Sequence, residues 1–301
     1  MKSRIFFVLP LLLLTVLAQG CLAALSGAET FVPVPELVVL PAQVERGGPA
    51  RALLAGLPPE AAAEGEFDGK KVFFFPVEDV LVGLFGADVM IEPGVKTLKV
   101  AWTAGEFGGE LAVEVPVKDK TYGIRDIKVP QKQVDLSPED QARAARERKL
   151  VEAALALQTP VKLWTGNFIE PVDGPINSSF GRRTRLNGIM NPRPHAGADY
   201  LVPEGTEVRA PADGTVALTG DHFFSGQAVY LDHGQGLISM YFHLSRIDVA
   251  DGRSVKKGDV LGLVGKTGRV TGAHLHYGVY LNGARIDPPA FRQMTTRLVA
   301  P

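Results

Sequence analysis

The sequence predicts a mainly β protein with one long connecting helix. Short apolar and β-branched runs recur along the chain, and glycine and proline interrupt them at nearly every join. From Leu111 to Val117, apolar residues alternate with Ala112, Glu114 and Pro116, a pattern typical of a strand with one buried face. The clearest start signal of a long helix follows Ser137.

The first 24 residues have the layout of a secretory signal peptide. Lys2 and Arg4 precede an apolar run from Ile5 to Ala18, which is short for a membrane span of about 20 residues. We therefore expect an exported protein, either periplasmic or associated with the cell envelope. Ala18-Gln19-Gly20-Cys21 resembles a bacterial lipoprotein cleavage site, which would attach the chain to a membrane through a lipidated Cys21. The alternative is cleavage nearby, giving a product without lipid.

Composition excludes several classes of protein. The net charge is −1, so no basic surface argues for nucleic acid as a partner. Cys21 is the single cysteine, which excludes an intrachain disulfide and a thiolate zinc cluster.

Residues 36–130 read as short strands separated by turns, which predicts a small, immunoglobulin-like β-sandwich. This region contains no histidine and no cysteine, so it offers little for catalysis. Two roles stay open: an accessory domain that binds a regulatory protein or covers a site, and a simple spacer. The candidate strands are Leu37–Leu40, Ala52–Ala55, Lys71–Phe75, Leu98–Trp102, Leu111–Val117 and Tyr122–Val129.

A connector helix is predicted over residues 137–158. Ser137 suits the N-cap, Pro138 the first helical position, and Glu139 and Asp140 the first turn.

From residue 164 to 292 the pattern returns to β and predicts a second, all-β domain. We expect Asp287-Pro288 to end its last strand. The candidate strands are Glu207–Ala210, Gly214–Leu218, Ala228–Asp232, Leu237–His243, Val260–Val264 and Leu275–Leu281.

All six histidines lie in this second domain, between residues 195 and 276. His274 and His276 flank Leu275, and on a strand they share one face with Cα atoms about 6.6 Å apart. His195 and Asp199 would lie about 13 Å apart on a straight strand, too far to bind one zinc ion comfortably. We therefore expect the backbone to bend at Gly197.

This residue set points to a zinc site. Imidazole nitrogen and carboxylate oxygen are ligands that suit zinc. Two histidines and one carboxylate leave the fourth zinc position open for water, which is typical of a catalytic site. Because the sequence has no His-Glu-x-x-His motif, the remaining histidines are the candidate bases.

Residues 165–291 resemble the lysostaphin-type (LytM-like) zinc metallopeptidases, which cut the peptides of peptidoglycan. The resemblance covers roughly two-fifths of the chain and implies an antiparallel β catalytic domain with peptidoglycan as partner. The matching segments are Ile176-Asn177-Ser178-Ser179-Phe180-Gly181, His195 to Asp199, Ala210 to Val216, Asp232-His233-Gly234, Tyr241-Phe242-His243-Leu244, Val255-Lys256-Lys257-Gly258, Gly265-Lys266-Thr267-Gly268 and Thr271 to His276.

The resemblance also implies a role for each matching residue. His195, Asp199 and His276 would bind one Zn²⁺ per chain. His274 would be the general base, and His243 would orient the water or stabilise the oxyanion. Of the remaining histidines, we expect His233 to stabilise a turn and His222 to be exposed beside Phe223 and Phe224 on a loop that edges the substrate groove.

Three functions are compatible with these features. The first is a zinc endopeptidase that hydrolyses cross-links or stem peptides of peptidoglycan. The second is a non-catalytic LytM-type activator of other wall hydrolases, which the intact set of five residues disfavours. The third is a biotinyl or lipoyl carrier, but this sequence lacks the lysine-tipped hairpin motif that such carriers need. Because residues 36–130 hold no candidate ligand or base, we expect a chain beginning near Trp164 to keep zinc and activity.

Overall fold

The structure is a computed structural model that describes residues 34–129, 131, 134–177 and 180–298. Twenty-one strands and two helices lie within these residues, which confirms the mainly β prediction. The predicted signal peptide, with Cys21, lies outside the described residues. None of the helices in the described part of the chain is long and apolar enough to cross a membrane.

Eight strands of the N-terminal region form one sheet in the order β1-β3-β6-β5-β4-β7-β8-β2. Sequence analysis did not identify β2, β4 and β6. β4 and β6 each contain a glycine, which weakens the strand pattern. The strands are β1 (Glu36–Leu40), β2 (Val44–Glu45), β3 (Pro49–Ala55), β4 (Ala62–Phe67), β5 (Lys70–Val77), β6 (Val80–Gly86), β7 (Gly94–Ala104) and β8 (Phe107–Lys118).

Strand β5 folds this sheet into the predicted sandwich. Its first half pairs with β4 and its second half with β6. The two halves of the sheet bury a common apolar core, in which the rings of Phe67 and Phe85 lie 4.7 Å apart. Alternation along β7 places Leu98, Val100 and Trp102 in that core.

The strand predicted at Tyr122–Val129 is not part of the sandwich. It forms β9 (Ile124–Ile127), which pairs in parallel with β11 (Arg183–Leu186) of the C-terminal region. β12 (Ile189–Met190) completes this three-stranded sheet. The sequence pattern identifies a strand but not its partner, so the assignment of β9 to the sandwich was wrong.

The C-terminal region forms the predicted, mainly antiparallel sheet. Its main path runs β10-β13-β20-β17-β16-β15-β18, with β14, β19 and β21 attached beside it. The strands are β10 (Ile176–Asn177), β13 (Gly197–Tyr200), β14 (Glu207–Arg209), β15 (Gly214–His222), β16 (Gly226–Asp232), β17 (Leu237–Ile247), β18 (Ser254–Val255), β19 (Val260–Val264), β20 (Leu275–Leu281) and β21 (Ala284–Ile286).

Two helices complete the fold. Helix α1 (Pro138–Leu155) begins after Ser137, whose hydroxyl accepts a hydrogen bond from the Asp140 amide. Helix α2 (Pro288–Thr295) was not predicted. Asp287 does not simply end a strand: it caps α2, and Pro288 takes the first helical position. The signal was present in the sequence, but an eight-residue helix is too short for clear periodicity.

The sandwich and the C-terminal sheet share apolar packing. Phe75, Val82 and Leu84 belong to the same buried cluster as Trp164 and Leu281. Asp88 and Arg285 add a partly buried ion pair between the two regions, with the Arg285 Nε donating to Asp88 Oδ2 at 2.9 Å. A chain beginning near Trp164 would lose these partners, so we expect it to be less stable. That it keeps zinc and activity stays a prediction.

Candidate active site

Three of the predicted site residues converge on one point. His195 Nε2 lies 3.1 Å from Asp199 Oδ1 and 2.8 Å from His276 Nδ1. His276 Nδ1 lies 3.2 Å from Asp199 Oδ1. Of the described residues, these three form the group whose ligand atoms could hold a metal ion.

The β13–β20 ladder sets this geometry. Asp199 on β13 lies directly opposite His276 on β20, so both side chains leave the same face of the sheet. His195 precedes β13, and its backbone exchanges hydrogen bonds with Gly181 and Arg182. The strand face expected for His276 is therefore the face that carries the cluster.

Gly197 is needed for a different reason from the one predicted. It lies within β13 opposite Gly278, and its backbone is not in the left-handed region. A Cβ atom at this position would lie 2.6 Å from His276 Nε2 and 2.5 Å from the Tyr277 carbonyl oxygen. Gly197 therefore permits a close approach of His276 rather than a bend.

Burial and mutual contact set the charges of the cluster. Burial alone would raise the pKa of Asp199, but hydrogen bonds from His195 and His276 hold it well below its usual range. Burial, followed by repulsion from His195, lowers the pKa of His276. The ring of His276 stacks on Phe242 with centroids 5.1 Å apart and 5° between the planes, which fixes its orientation.

His274 lies beside the cluster rather than in it. Its Nε2 is 3.8 Å from Asp199 Oδ1, farther than the three shorter contacts. Its Nδ1 lies 2.9 Å from the Gly272 carbonyl oxygen. Because a carbonyl can only accept, Nδ1 carries the proton and Nε2 is left as an acceptor.

His243 is held in the same tautomer by a different contact. Its Nδ1 donates to the Thr267 carbonyl oxygen at 2.9 Å, which leaves Nε2 free to accept. Burial, and then the nearby His276 and His274, lower the pKa of His243 to about 3. Its backbone has φ +66° beside register shifts in β17, so a bulge turns this side chain into the groove.

The other two histidines lie away from the cluster. His233 is fully buried and links the Asp213 carbonyl to the Ser239 hydroxyl, each at 2.7 Å, which agrees with a turn-stabilising role. His222 was predicted to be exposed, but it is buried near Tyr230. Alternation along the end of β15 puts it on the inner face, while Phe224 follows on the exposed loop.

An open groove of about 390 Å³ runs over the cluster. The β13–β20 centre lies between two walls, one built by β9, β10, β11 and the segment before His195, the other by residues 224–225 and 269–273. Sequence analysis anticipated Phe224 but missed Arg125, Ile127 and Val129 of the β9 segment. Their alternate spacing could have shown a shared face, but not which surface that face lines.

The donor set fits a zinc ion. Zinc bonds of about 2.0–2.2 Å to nitrogen and oxygen place tetrahedral ligand atoms about 3.3–3.6 Å apart. The three distances in the cluster, 2.8, 3.1 and 3.2 Å, come close to that spacing. Two imidazole nitrogens and one carboxylate oxygen also match the chemistry of zinc sites.

Fold and site together define a class: mainly β proteins with a His–Asp–His cluster that could hold a metal ion in an open groove. The model of peptidase family M23 matches residues 193–288. A crystal structure described as a candidate M23 peptidase from Pseudomonas aeruginosa is 36 % identical with a TM-score of 0.65, and the alignment covers 83 % of this chain and 95 % of that one. The chain belongs to peptidase family M23.

Two curated relatives match part of this chain. DD-carboxypeptidase/endopeptidase Mpg of Neisseria meningitidis serogroup B is 42 % identical over 132 residues, which are 43 % of this chain and 30 % of that protein. Peptidoglycan DD-endopeptidase ShyA of Vibrio cholerae is 40 % identical over 119 residues, 39 % of this chain and 28 % of that protein. The chain thus spans less than a third of the length of these relatives.

Proposed function

We propose that this protein is a zinc-dependent endopeptidase that hydrolyses cross-linking or stem peptides of bacterial peptidoglycan. The observation that carries the proposal is the cluster of His195, Asp199 and His276 at the base of an open groove, with two further histidines beside it. The names of the Neisseria and Vibrio relatives, one a carboxypeptidase/endopeptidase and the other a peptidoglycan endopeptidase, support the substrate class.

His195, Asp199 and His276 are the residues that would hold one zinc ion per chain. When bound, zinc would polarise the scissile carbonyl and lower the pKa of a water molecule. Asp199, kept ionised by its two histidine contacts, would offset part of the charge of the ion. The stack of His276 on Phe242 would keep its Nδ1 aimed at the same point.

His274 is assigned as the general base. Its Nδ1 proton is committed to the Gly272 carbonyl, so the bare Nε2 can accept a proton from water near the cluster. His243 is assigned to orient that water, because its Nε2 is also an acceptor. A neutral His243 in this tautomer has no Nε2 proton to donate to an oxyanion, which favours the first of its two predicted roles.

The proposal includes action outside the cytoplasm, because peptidoglycan lies in the cell envelope. The predicted signal peptide of residues 1–24 supports export, to the periplasm or the cell envelope, with Cys21 as the residue that lipid would modify. Fractionation of cells, with Cys21→Ser beside the wild type, tests both points. A cytoplasmic protein that retains Met1 would contradict export, and membrane association that survives Cys21→Ser would contradict lipidation.

Incubation of the metal-loaded protein with purified peptidoglycan tests the activity. We expect new muropeptides whose masses correspond to hydrolysis of peptide bonds. The metal-free protein and the His276→Ala variant are the controls and should release none. Intact peptidoglycan after incubation with folded, zinc-loaded protein would overturn the proposal.

A further inference from the structure

The wall of the groove includes a strand contributed from outside the C-terminal region. β9 leaves the sandwich and pairs in parallel with β11, from Ile124 opposite Arg183 to Ile127 opposite Leu186. The Asn187 side chain holds the end of this segment by donating to the Val129 carbonyl and accepting from the Val129 amide, at 2.9 and 3.0 Å. The segment is therefore built into the groove by backbone and side-chain hydrogen bonds.

Alternation along this segment decides what it presents to the groove. Arg125, Ile127 and Val129 line the groove, whereas Asp126 points away and pairs with Arg185 at 3.2 Å. The period of two is that of a strand with one face on the groove. Arg125 is thus the charged side chain that the upstream region adds to the groove.

The fixed charges around the groove are positive. Apart from the histidines and Asp199, the charged side chains among its described lining residues are Arg125 and Arg269. Arg269 comes from the opposite wall, where its guanidinium lies 4.4 Å from the centre of the Phe224 ring. Asp199 lies within the His–Asp–His cluster, so its carboxylate faces the candidate metal position rather than the arginines.

The Nε atom of Arg125 is a hydrogen-bond donor that the described residues do not use. Its Nε is buried and has no hydrogen-bond partner among the described residues. A buried donor without a partner costs free energy, which an acceptor on a bound molecule would recover once the side chain turns toward it. Guanidinium groups favour carboxylates because the planar fork can donate two parallel hydrogen bonds.

We infer that Arg125 and Arg269 recognise a carboxylate of the peptide in the groove, so the preferred substrate is an acidic peptide with a free carboxylate near the scissile bond. This inference rests on the proposed endopeptidase function and adds its specificity. It also assigns the β9 segment, and with it the region upstream of residue 130, a part in substrate binding.

The test uses two cross-linked muropeptides that differ in whether their free carboxylates have been converted to amides. The zinc-loaded full-length protein should cleave the carboxylate form with the lower KM. Arg125→Gln should raise KM for that form about 10-fold or more, as expected for loss of a charged hydrogen bond. It should leave kcat, and KM for the amide form, nearly unchanged.

Arg183→Gln is the matched control, because Arg183 is an exposed arginine on the neighbouring strand that does not line the groove. It should behave as wild type. Arg125→Lys, which keeps the charge but loses the fork, should give an intermediate KM. Arg269→Gln should act in the same direction as Arg125→Gln. If thermal unfolding shows that Arg125→Gln does not fold, Arg125→Lys and Arg269→Gln decide the question.

The outcomes separate this inference from the function beneath it. Equal KM for the two muropeptides in wild type and in the arginine variants would overturn the inference and leave the endopeptidase standing. Failure of the zinc-loaded wild type to cleave either form would overturn the endopeptidase instead. Calorimetry of the two muropeptides with metal-free protein would then still test the role of the arginines. Tighter binding of the carboxylate form that is lost in Arg125→Gln would support that role, and equal binding of the two forms would refute it.

Discussion

Separate replacement of His274 and His276 should divide metal binding from catalysis. The two residues are two positions apart, so they share a strand face, yet they differ in their distance to the cluster. His276 Nδ1 lies 2.8 and 3.2 Å from the other two ligand atoms, whereas His274 Nε2 lies 3.8 Å from Asp199 Oδ1. Only the shorter distances lie within the spacing of atoms that share a zinc ion, about 3.3–3.6 Å at most.

The magnitudes follow from these positions. Loss of an outer-shell partner of a zinc ligand typically lowers affinity about 10–100-fold, so loss of the His276 ligand itself should exceed about 100-fold. His276→Ala should therefore lose its zinc on dialysis. His274→Ala should keep nearly one zinc per chain, and its kcat should fall by about 10²–10⁴-fold, the usual contribution of a general base.

The assay measures zinc by atomic emission after dialysis and peptidoglycan hydrolysis on the same preparations. Lys266→Ala is the control, because Lys266 is exposed on the loop before His274 and pairs with Glu204; it should match wild type in both measurements. Zinc lost from His274→Ala but kept in His276→Ala would reverse the assignment. Full activity in either histidine variant would refute the mechanism.

Four further predictions concern stability and the supporting residues. Burial lowers the pKa of His233 to about 4, so below the ordinary pKa of about 6.5 the unfolded chain binds a proton that the folded chain does not. In denaturant unfolding, the free energy of unfolding of the wild type should therefore fall by up to about 3 kcal/mol between pH 6.5 and 4. A His233→Gln variant with the same pH dependence would contradict this. Asp88→Ala leaves the partly buried Arg285 guanidinium without its carboxylate and should cost about 2 kcal/mol in the same measurement. No loss would show that the pair contributes nothing. Gly197→Ala should displace His276 and weaken zinc binding at least 10-fold. Gly123→Ala is the control, because its added Cβ meets no atom within 4 Å, and it should bind zinc as the wild type does. Equal zinc affinities of the two variants would contradict a close approach of His276 to Gly197. A chain beginning at Trp164 should unfold about 10 °C or more below the full-length protein, since three buried apolar side chains and a strand are lost, and equal midpoints would show that the C-terminal region is independent.

Much of the fold could be predicted because strands leave a local pattern. Alternation marked β7 and β8, and the flanking glycines and prolines marked most strands of the C-terminal sheet. Pairing is not local, however. β9 matches the pattern of any short strand, and its parallel partner β11 lies about 60 residues further along the chain. The contribution of Arg125 to the groove was hidden for that reason.

For the candidate site, too, local features could be predicted from the sequence and tertiary contacts could not. His274-Leu275-His276 predicts a shared strand face from spacing alone, and the structure shows His276 in the cluster. Gly197 was correctly singled out, but for the wrong reason, because the close approach of the His276 ring across the ladder is not encoded in the local sequence. The burial of His222 depends on the packing of β15 against Tyr230, which is likewise a tertiary contact.

Four of the five site residues are held by two separate parts of the structure. The candidate ligands Asp199 and His276 are fixed by the β13–β20 ladder. His243 and the candidate base His274 depend instead on one loop, because the Thr267 carbonyl accepts a hydrogen bond from His243 Nδ1 and the Gly272 carbonyl accepts one from His274 Nδ1. Gly268 lets this loop approach the backbone of Gly226, where a Cβ atom would lie 2.3 Å from the Gly226 nitrogen. The loop of residues 267–272 can therefore set the tautomers of both histidines without disturbing the candidate ligand atoms. Changes within it should alter turnover while zinc content stays constant.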